Sequence, residues 1–365
     1  MTAETLTDRR LGRALLARQW LLERSPATTV AAIEQVAGLQ AQVAAPPFVG
    51  LWSRVAGFRR QDLLDAIHDR RVIRATMMRG TIHHVSRRDY VEYRTTLQPV
   101  LDRVLQNPGP RRVAHARDAL VPLARRLLHD EPRTIAALRD PLHDAHPDLP
   151  ADDLAMVARM LIPLAMVPDP DASDGYPGNA RFALAEDLLD GEPLSPVPDP
   201  AGLLRRYLAA FGPATAADAA KWSGLQGVRA VLDAMDDLDR YRDERGRDLF
   251  DVSGALLPDE DVPAPVRFLP RFDNLILSHA DPARVIADEH KKGLVTRNGI
   301  VEATFLWDGV VAGVWDVGRR RGRAALRITP LRRLPQRAQA TVRAEGRRLL
   351  GFVAPDATGY EVLVD

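Results

Sequence analysis

Two glutamines one residue apart, Gln40 and Gln42 in the run GLQAQVAAPP (38–47), are the residues of this chain whose type and spacing suit shared chemistry. A carboxamide offers an accepting oxygen and a donating NH2 and does not titrate. Two of them can orient a water and stabilise developing charge, but neither can serve as a strong base. Gly38 is placed to stop the preceding helix, because glycine enters the left-handed conformation at little steric cost. Pro46 and Pro47 push the residues before them toward extended geometry. Side chains two apart in an extended chain share a face. The spacing therefore predicts that Gln40 and Gln42 reach one common point, against the plainer alternative of two solvated loop residues.

The elements that would position them are readable from periodicity. Apolar residues recur at helical spacing over 11–22, 30–36 and 63–67, the last after a cap at Asp62. The run VIRATMMRGTIHHVS (72–86) is rich in β-branched residues around Arg79-Gly80 and predicts a hairpin turning there. Helix, turn, helix and hairpin is the order of a winged helix. The plan recurs. TVAAIEQVAGLQ begins at Thr29 and TAADAAKWSGLQ at Thr215, each with glycine nine positions after its first threonine. A second hairpin is expected around Gly246, and a weaker middle copy spans 134–189. The predicted fold class is α+β: three tandem winged helices over 1–107, 108–198 and 199–256, then a β-rich region over 257–365. Linkers dense in proline or glycine lie at 107–112 and 191–199. Asn298-Gly299 and Asp308-Gly309 are strong hairpin turns, and VVAGVWDVGRRRGRAALRITPL reads as two strands joined by an arginine-loaded turn.

Composition narrows the function classes. The chain has 365 residues, a net charge of +1 and no cysteine, which excludes disulfides, thiolate nucleophiles and cysteine-ligated metals. No apolar run reaches membrane-spanning length and the first residues lack a signal-peptide pattern, so a cytoplasmic location beside the nucleoid is expected. The near-neutral total argues against indiscriminate polyanion binding, yet eleven arginines fall between Gly313 and Arg348 against Asp316 and Glu345. Arg319, Arg320, Arg321 and Arg323 at the predicted turn suit phosphate and minor-groove contact.

The segments LQAQ…PPFVGLWSRV, MMRGTIHHVSRRDY, GPATAADAAKWSGL and FLPRFDNLILSHADPARVI together resemble the AlkZ-like DNA glycosylases of the winged-helix superfamily, related to YcaQ. The resemblance covers nearly the whole chain. It implies a C-shaped body of three winged helices that holds DNA, a C-terminal hairpin contacting it, and a catalytic Gln-aliphatic-Gln motif standing here as Gln40-Ala41-Gln42. It implies further that bulky N7-alkylguanine is hydrolysed from double-stranded DNA, interstrand crosslinks included, as self-resistance to a DNA-alkylating natural product. The enzyme would be a monofunctional monomer without lyase activity, metal or cofactor. Guanine alkylated at N7 is already cationic and leaves without protonation, which suits a site built from neutral amides. The same resemblance puts the hairpin beside the active site, with Thr81 and His83 as pocket candidates and Arg79 as a DNA contact.

Other residues weigh less. His83 and His84 point to opposite faces of a strand and cannot easily chelate one metal. Asp273, Asp281 and His279 suggest a carboxylate catalyst, but a scaffold role is favoured. Trp52, Trp222, Trp307 and Trp315 read as core. The rival reading is a non-catalytic winged-helix DNA-binding protein or transcriptional regulator, against which three tandem units in one chain argue. A degenerate paralogue that binds damaged DNA without cutting it is the third.

Overall fold

The computed structural model describes residues 4–294 and 301–365. The Asn298-Gly299 turn lies outside them. Along the chain the strands are β1 (Thr5–Leu6), β2 (Leu39–Gln40), β3 (Val72–Thr76), β4 (Ile82–Ser86), β5 (Leu164–Met166), β6 (Phe182–Leu184), β7 (Leu238–Asp243), β8 (Asp248–Val252), β9 (Arg267–Leu269), β10 (Thr304–Trp307), β11 (Val310–Arg320), β12 (Arg323–Pro330) and β13 (Gly359–Val364). Helices fill the intervals, so the architecture is mixed α+β. Three sheets form, in the orders β2-β4-β3-β5-β6, β1-β7-β8 and β13-β12-β11-β10-β9.

Left-handed residues make the turns. Arg79 and Gly80, with φ of 58° and 71°, close the β3–β4 hairpin, and Gly246 at 75° closes β7–β8. Asp308 and Gly309 join β10 to β11, and Arg321 and Gly322 join β11 to β12, both pairs at positive φ as a two-residue type I′ hairpin requires. Two pairings are remote in sequence. Strand β5 adds to β3 through Ala75 opposite Ala165, and β1 runs parallel to β7.

The first repeat is a helix Thr29–Gln35 capped by the Thr28 side chain, one residue earlier than the aligned threonine, whereas Thr215 itself caps the helix Ala216–Ser223. Gly38 and Gly224 follow these helices at φ of 88° and 80°. A Cβ on Gly38 would stand 3.0 Å from a Val85 methyl and 3.2 Å from the His84 carbonyl, so only glycine lets the chain turn into β2 here.

Behind β2 the FDN run closes the scaffold. Asp273 takes both terminal nitrogens of Arg54, at 2.9 and 2.8 Å, with both side chains buried. Asn274 donates to the carbonyls of Val36 and Gly38, on either side of the turn that delivers the glutamines. Removing one partner of such a buried bidentate pair costs about 3–5 kcal/mol. Asp273 is thus committed to the fold. His279 is buried between Ser278 and the Phe211 carbonyl.

Candidate active site

Strand β2 lies antiparallel to β4, with Leu39 opposite His84 and Gln40 opposite His83. The Ala41 amide continues the ladder to the Ile82 carbonyl at 2.7 Å. Both carboxamides then converge on the segment from Arg79 to Ile82. Gln40 Oε1 accepts from Arg79 Nη2 at 2.8 Å, and Gln42 Oε1 accepts from the Ile82 amide at 2.8 Å. Each of these partners can only donate, which fixes the orientation of both amides. Each oxygen keeps one lone pair. The NH2 groups have no protein partner among the described residues and are not sealed from solvent, Gln40 being nearly buried and Gln42 exposed.

Two guanidiniums hold the motif, that of Arg74 on a buried side chain and that of Arg79 on a half-buried one. Arg74, in the middle of the apolar strand VIRAT, donates through Nε and Nη2 to the Ala41 carbonyl at 3.0 and 2.9 Å and lies over the Tyr176 ring. Arg79 reaches Gln40 with Nη2 and the Trp222 carbonyl with Nη1 at 2.8 Å. Neither has a carboxylate within ion-pair distance among the described residues. Burial lowers the pKa of both, Arg79 to about 10, and both remain charged at neutral pH. Ala41, between the glutamines, is fully buried in the core formed by the helix Pro46–Trp52 and β4.

The hairpin histidines are buried as well. His83 Nδ1 lies 3.0 Å from the Thr81 carbonyl and must carry the proton there, leaving Nε2 as an acceptor 3.4 Å from Arg79. Burial, reinforced by Arg79, lowers the His83 pKa to about 3. Burial beside Arg74 lowers His84 equally, to about 3, and neither of its ring nitrogens has a partner among the described residues. Both imidazoles are neutral near pH 7. The Thr81 hydroxyl caps the turn by donating to the Met78 carbonyl at 3.1 Å.

Sequence reasoning placed Arg79 on DNA, whereas its guanidinium turns inward onto Gln40. It missed Arg74, the Trp222 carbonyl and the Ile82 amide. A lone arginine in a β-branched run was a signal that this strand packs against something polar. The remaining candidates are elsewhere: Arg319, Arg320, Arg321 and Arg323 occupy the exposed tip of the β11–β12 hairpin. Arg319 is tied to Asp356 at 2.8 Å, and the other three make no ion pair among the described residues. An open recess is lined by Val43, which follows Gln42, by Pro46 and Pro270, and by Trp315, Asp316 and Val317 of β11, so that it is largely apolar with a carboxylate at one side. No metal-binding cluster of His and carboxylates occurs among the described residues.

No curated protein matches the chain in sequence. A solved structure of the Streptomyces sahachiroi DNA glycosylase AlkZ is similar in fold, with a TM-score of 0.75 over 99% of this chain and 100% of that one at 19% identity. The model of the family described as "DNA glycosylase AlkZ-like" matches residues 33–352, which include both glutamines, the β3–β4 hairpin and the arginine-tipped hairpin. The chain belongs to the AlkZ-like family of DNA glycosylases, and DNA is the partner that membership implies.

Proposed function

We propose that this protein is a monofunctional glycosylase that hydrolyses the C1′–N9 bond of bulky N7-alkylguanine in duplex DNA, with Gln40 and Gln42 as the catalytic pair. The observation that carries the reading is the chemistry of that pair. Two neutral amides, with NH2 groups lacking protein partners among the described residues, stand beside neutral histidines, and neither amide is hydrogen-bonded to a carboxylate among the described residues. Such a site can neither protonate an ordinary base nor deprotonate a water outright.

N7-alkylguanine requires neither. The bond breaks with its electrons moving to N9, the base departs neutral, and positive charge passes to the sugar as an oxocarbenium-like centre. The outward NH2 groups donate to acceptors on the departing base, and the free lone pair of the exposed Gln42 oxygen accepts from the attacking water and faces the developing charge. Water adds its hydroxyl to C1′ and releases one proton to solvent, which balances the charge lost from the base. The apolar recess beside Val43 and Trp315 suits the bulky substituent, and the arginine tip suits phosphates on the same duplex. Reading residues 1–107, 108–198 and 199–256 as winged helices in a DNA-holding body fits the same proposal, as do crosslink unhooking and a self-resistance role.

The test is excision from duplexes carrying one small or one bulky N7-alkylguanine, scored as abasic sites, beside an undamaged duplex and a borohydride-trapping reaction. Release from both adducts, none from undamaged DNA and no trapped covalent complex is the expected result. Tight duplex binding without any release supports a DNA reader instead.

A further inference from the structure

The reading of Gln40 as catalytic leaves Arg79 unexplained. Its half-buried cation has no carboxylate within ion-pair distance among the described residues, and an apolar residue of similar length would fill the space without the desolvation cost that lowers its pKa. Every acceptor it does reach is neutral: the Trp222 carbonyl at 2.8 Å, Gln40 Oε1 at 2.8 Å and, more distantly, His83 Nε2. Of these, only Gln40 also reaches solvent with its other polar atom. The neighbourhood is built to hold the guanidinium there. Arg79 itself sits at φ 58°, and Gly224 approaches so closely that a Cβ would lie 3.4 Å from the Arg79 Cα and 2.8 Å from Val100. The Thr81 carbonyl fixes the His83 tautomer so that its lone pair faces Arg79.

We propose that Arg79 is the positioning residue of the glycosylase site, one that locks the Gln40 carboxamide with its oxygen inward and its NH2 outward. The inference rests on the proposed function above. A free carboxamide can rotate by half a turn at little cost, exchanging donor for acceptor at the reacting centre. With Arg79 in place that exchange would set NH2 against a guanidinium. The cation also draws electron density toward Oε1, which strengthens the outward N–H donor as a hydrogen-bond chain does. Because Nη1 is held by Trp222, the lock joins the β3–β4 hairpin to the helix Ala216–Ser223, and a shift of that helix would reach the amide.

The experiment is a double-mutant cycle on single-turnover excision of N7-alkylguanine from a duplex, using the full chain with Arg79→Met, Gln40→Ala and the pair. Melting curves and affinity for undamaged duplex are recorded alongside. Arg79→Met is expected to excise at least tenfold more slowly while duplex affinity stays within about twofold, and to have little further effect once Gln40 is alanine. Arg79→Lys should recover part of the rate. Losses that multiply in the double mutant overturn the proposal, because Arg79 then acts apart from Gln40. So does a loss of rate matched by a loss of folded protein, which marks Arg79 as structural alone. If wild type releases no base, the glycosylase reading fails and this inference fails with it. Wild-type release with an unaffected Arg79→Met sinks this inference only.

Discussion

Arg74 donates twice to one carbonyl, that of Ala41, at 3.0 and 2.9 Å, and so grips the peptide between the two glutamines from inside the sheet. Hydrogen bonds from a charged donor in a buried setting are the stronger kind. Leaving a buried carbonyl without a partner costs about 1–3 kcal/mol. The grip therefore holds the register of Gln40 and Gln42 against β4. Arg74→Leu is expected to lower stability by roughly that amount and to slow base release about tenfold or more. Chemical denaturation and single-turnover kinetics check both. A variant that loses stability but excises at the wild-type rate would show the grip to be irrelevant to the site.

Gln40→Glu separates stability from activity. A carboxylate in place of the Gln40 amide completes an ion pair with the half-buried Arg79, which has no carboxylate partner among the described residues. It also removes the outward NH2 and sets a negative oxygen toward DNA. The variant is expected to melt at a higher temperature than wild type and to excise at least a hundredfold more slowly. A lower melting temperature would mean that Arg79 does not need a counter-charge.

At the hairpin tip the arginines divide into two kinds. Arg319 is held by Asp356, whereas Arg320, Arg321 and Arg323 are exposed and without ion pairs among the described residues. Replacing the latter three by serine is expected to weaken duplex binding across sequences and to reduce the salt slope by about one for each phosphate no longer neutralised. Melting temperature should not move. Titrations at several salt concentrations test this, and an unchanged slope removes the hairpin from the interface.

Acid should unfold the protein through its buried histidines. Burial sets His83 and His84 at about 3 and also lowers His279, whereas the same residues in an unfolded chain titrate near 6.5. Below pH 6.5 the unfolded state binds more protons, so stability falls as pH falls, by about 1.4 kcal/mol per unit for each such histidine. Burial raises Asp89 to about 6, and this works the other way, because the native state holds a proton that the unfolded chain has released between about pH 4 and 6. Stability should therefore be level above pH 7 and decline from there toward pH 5. His84→Leu, which removes a ring with no hydrogen-bond partner among the described residues, should make that decline shallower by one proton. An equal slope in both proteins would contradict the burial of His84 as a neutral ring.

Local geometry was legible in the sequence. The helix before β2 ends at Gln35 and the first left-handed residue after it is Ala37, with Gly38 next turning the chain into β2, while the turns at Arg79-Gly80 and Asp308-Gly309 fall where left-handed residues were expected. These are decided by φ and by neighbours a few residues away. What was not legible is long-range. Nothing in VIRAT says that Arg74 ends on the Ala41 carbonyl, nor in MMRGT that the Arg79 guanidinium reaches Gln40 and Trp222. The parallel pairing of β1 with β7 leaves no local pattern in two residues. The FDN run was readable as scaffold, but its hold on the Gly38 carbonyl needed the fold.

Whether two neutral carboxamides carry out the excision is tested most directly by single-turnover base release from a duplex with one N7-alkylguanine, comparing wild type with Gln40→Ala and Gln42→Ala at saturating protein. The expected result is release by wild type well above the spontaneous rate and a loss of about a hundredfold or more in either variant, some 2.7 kcal/mol of transition-state stabilisation, with duplex affinity kept. Wild-type release that survives both substitutions would contradict this and place the chemistry outside the glutamine pair.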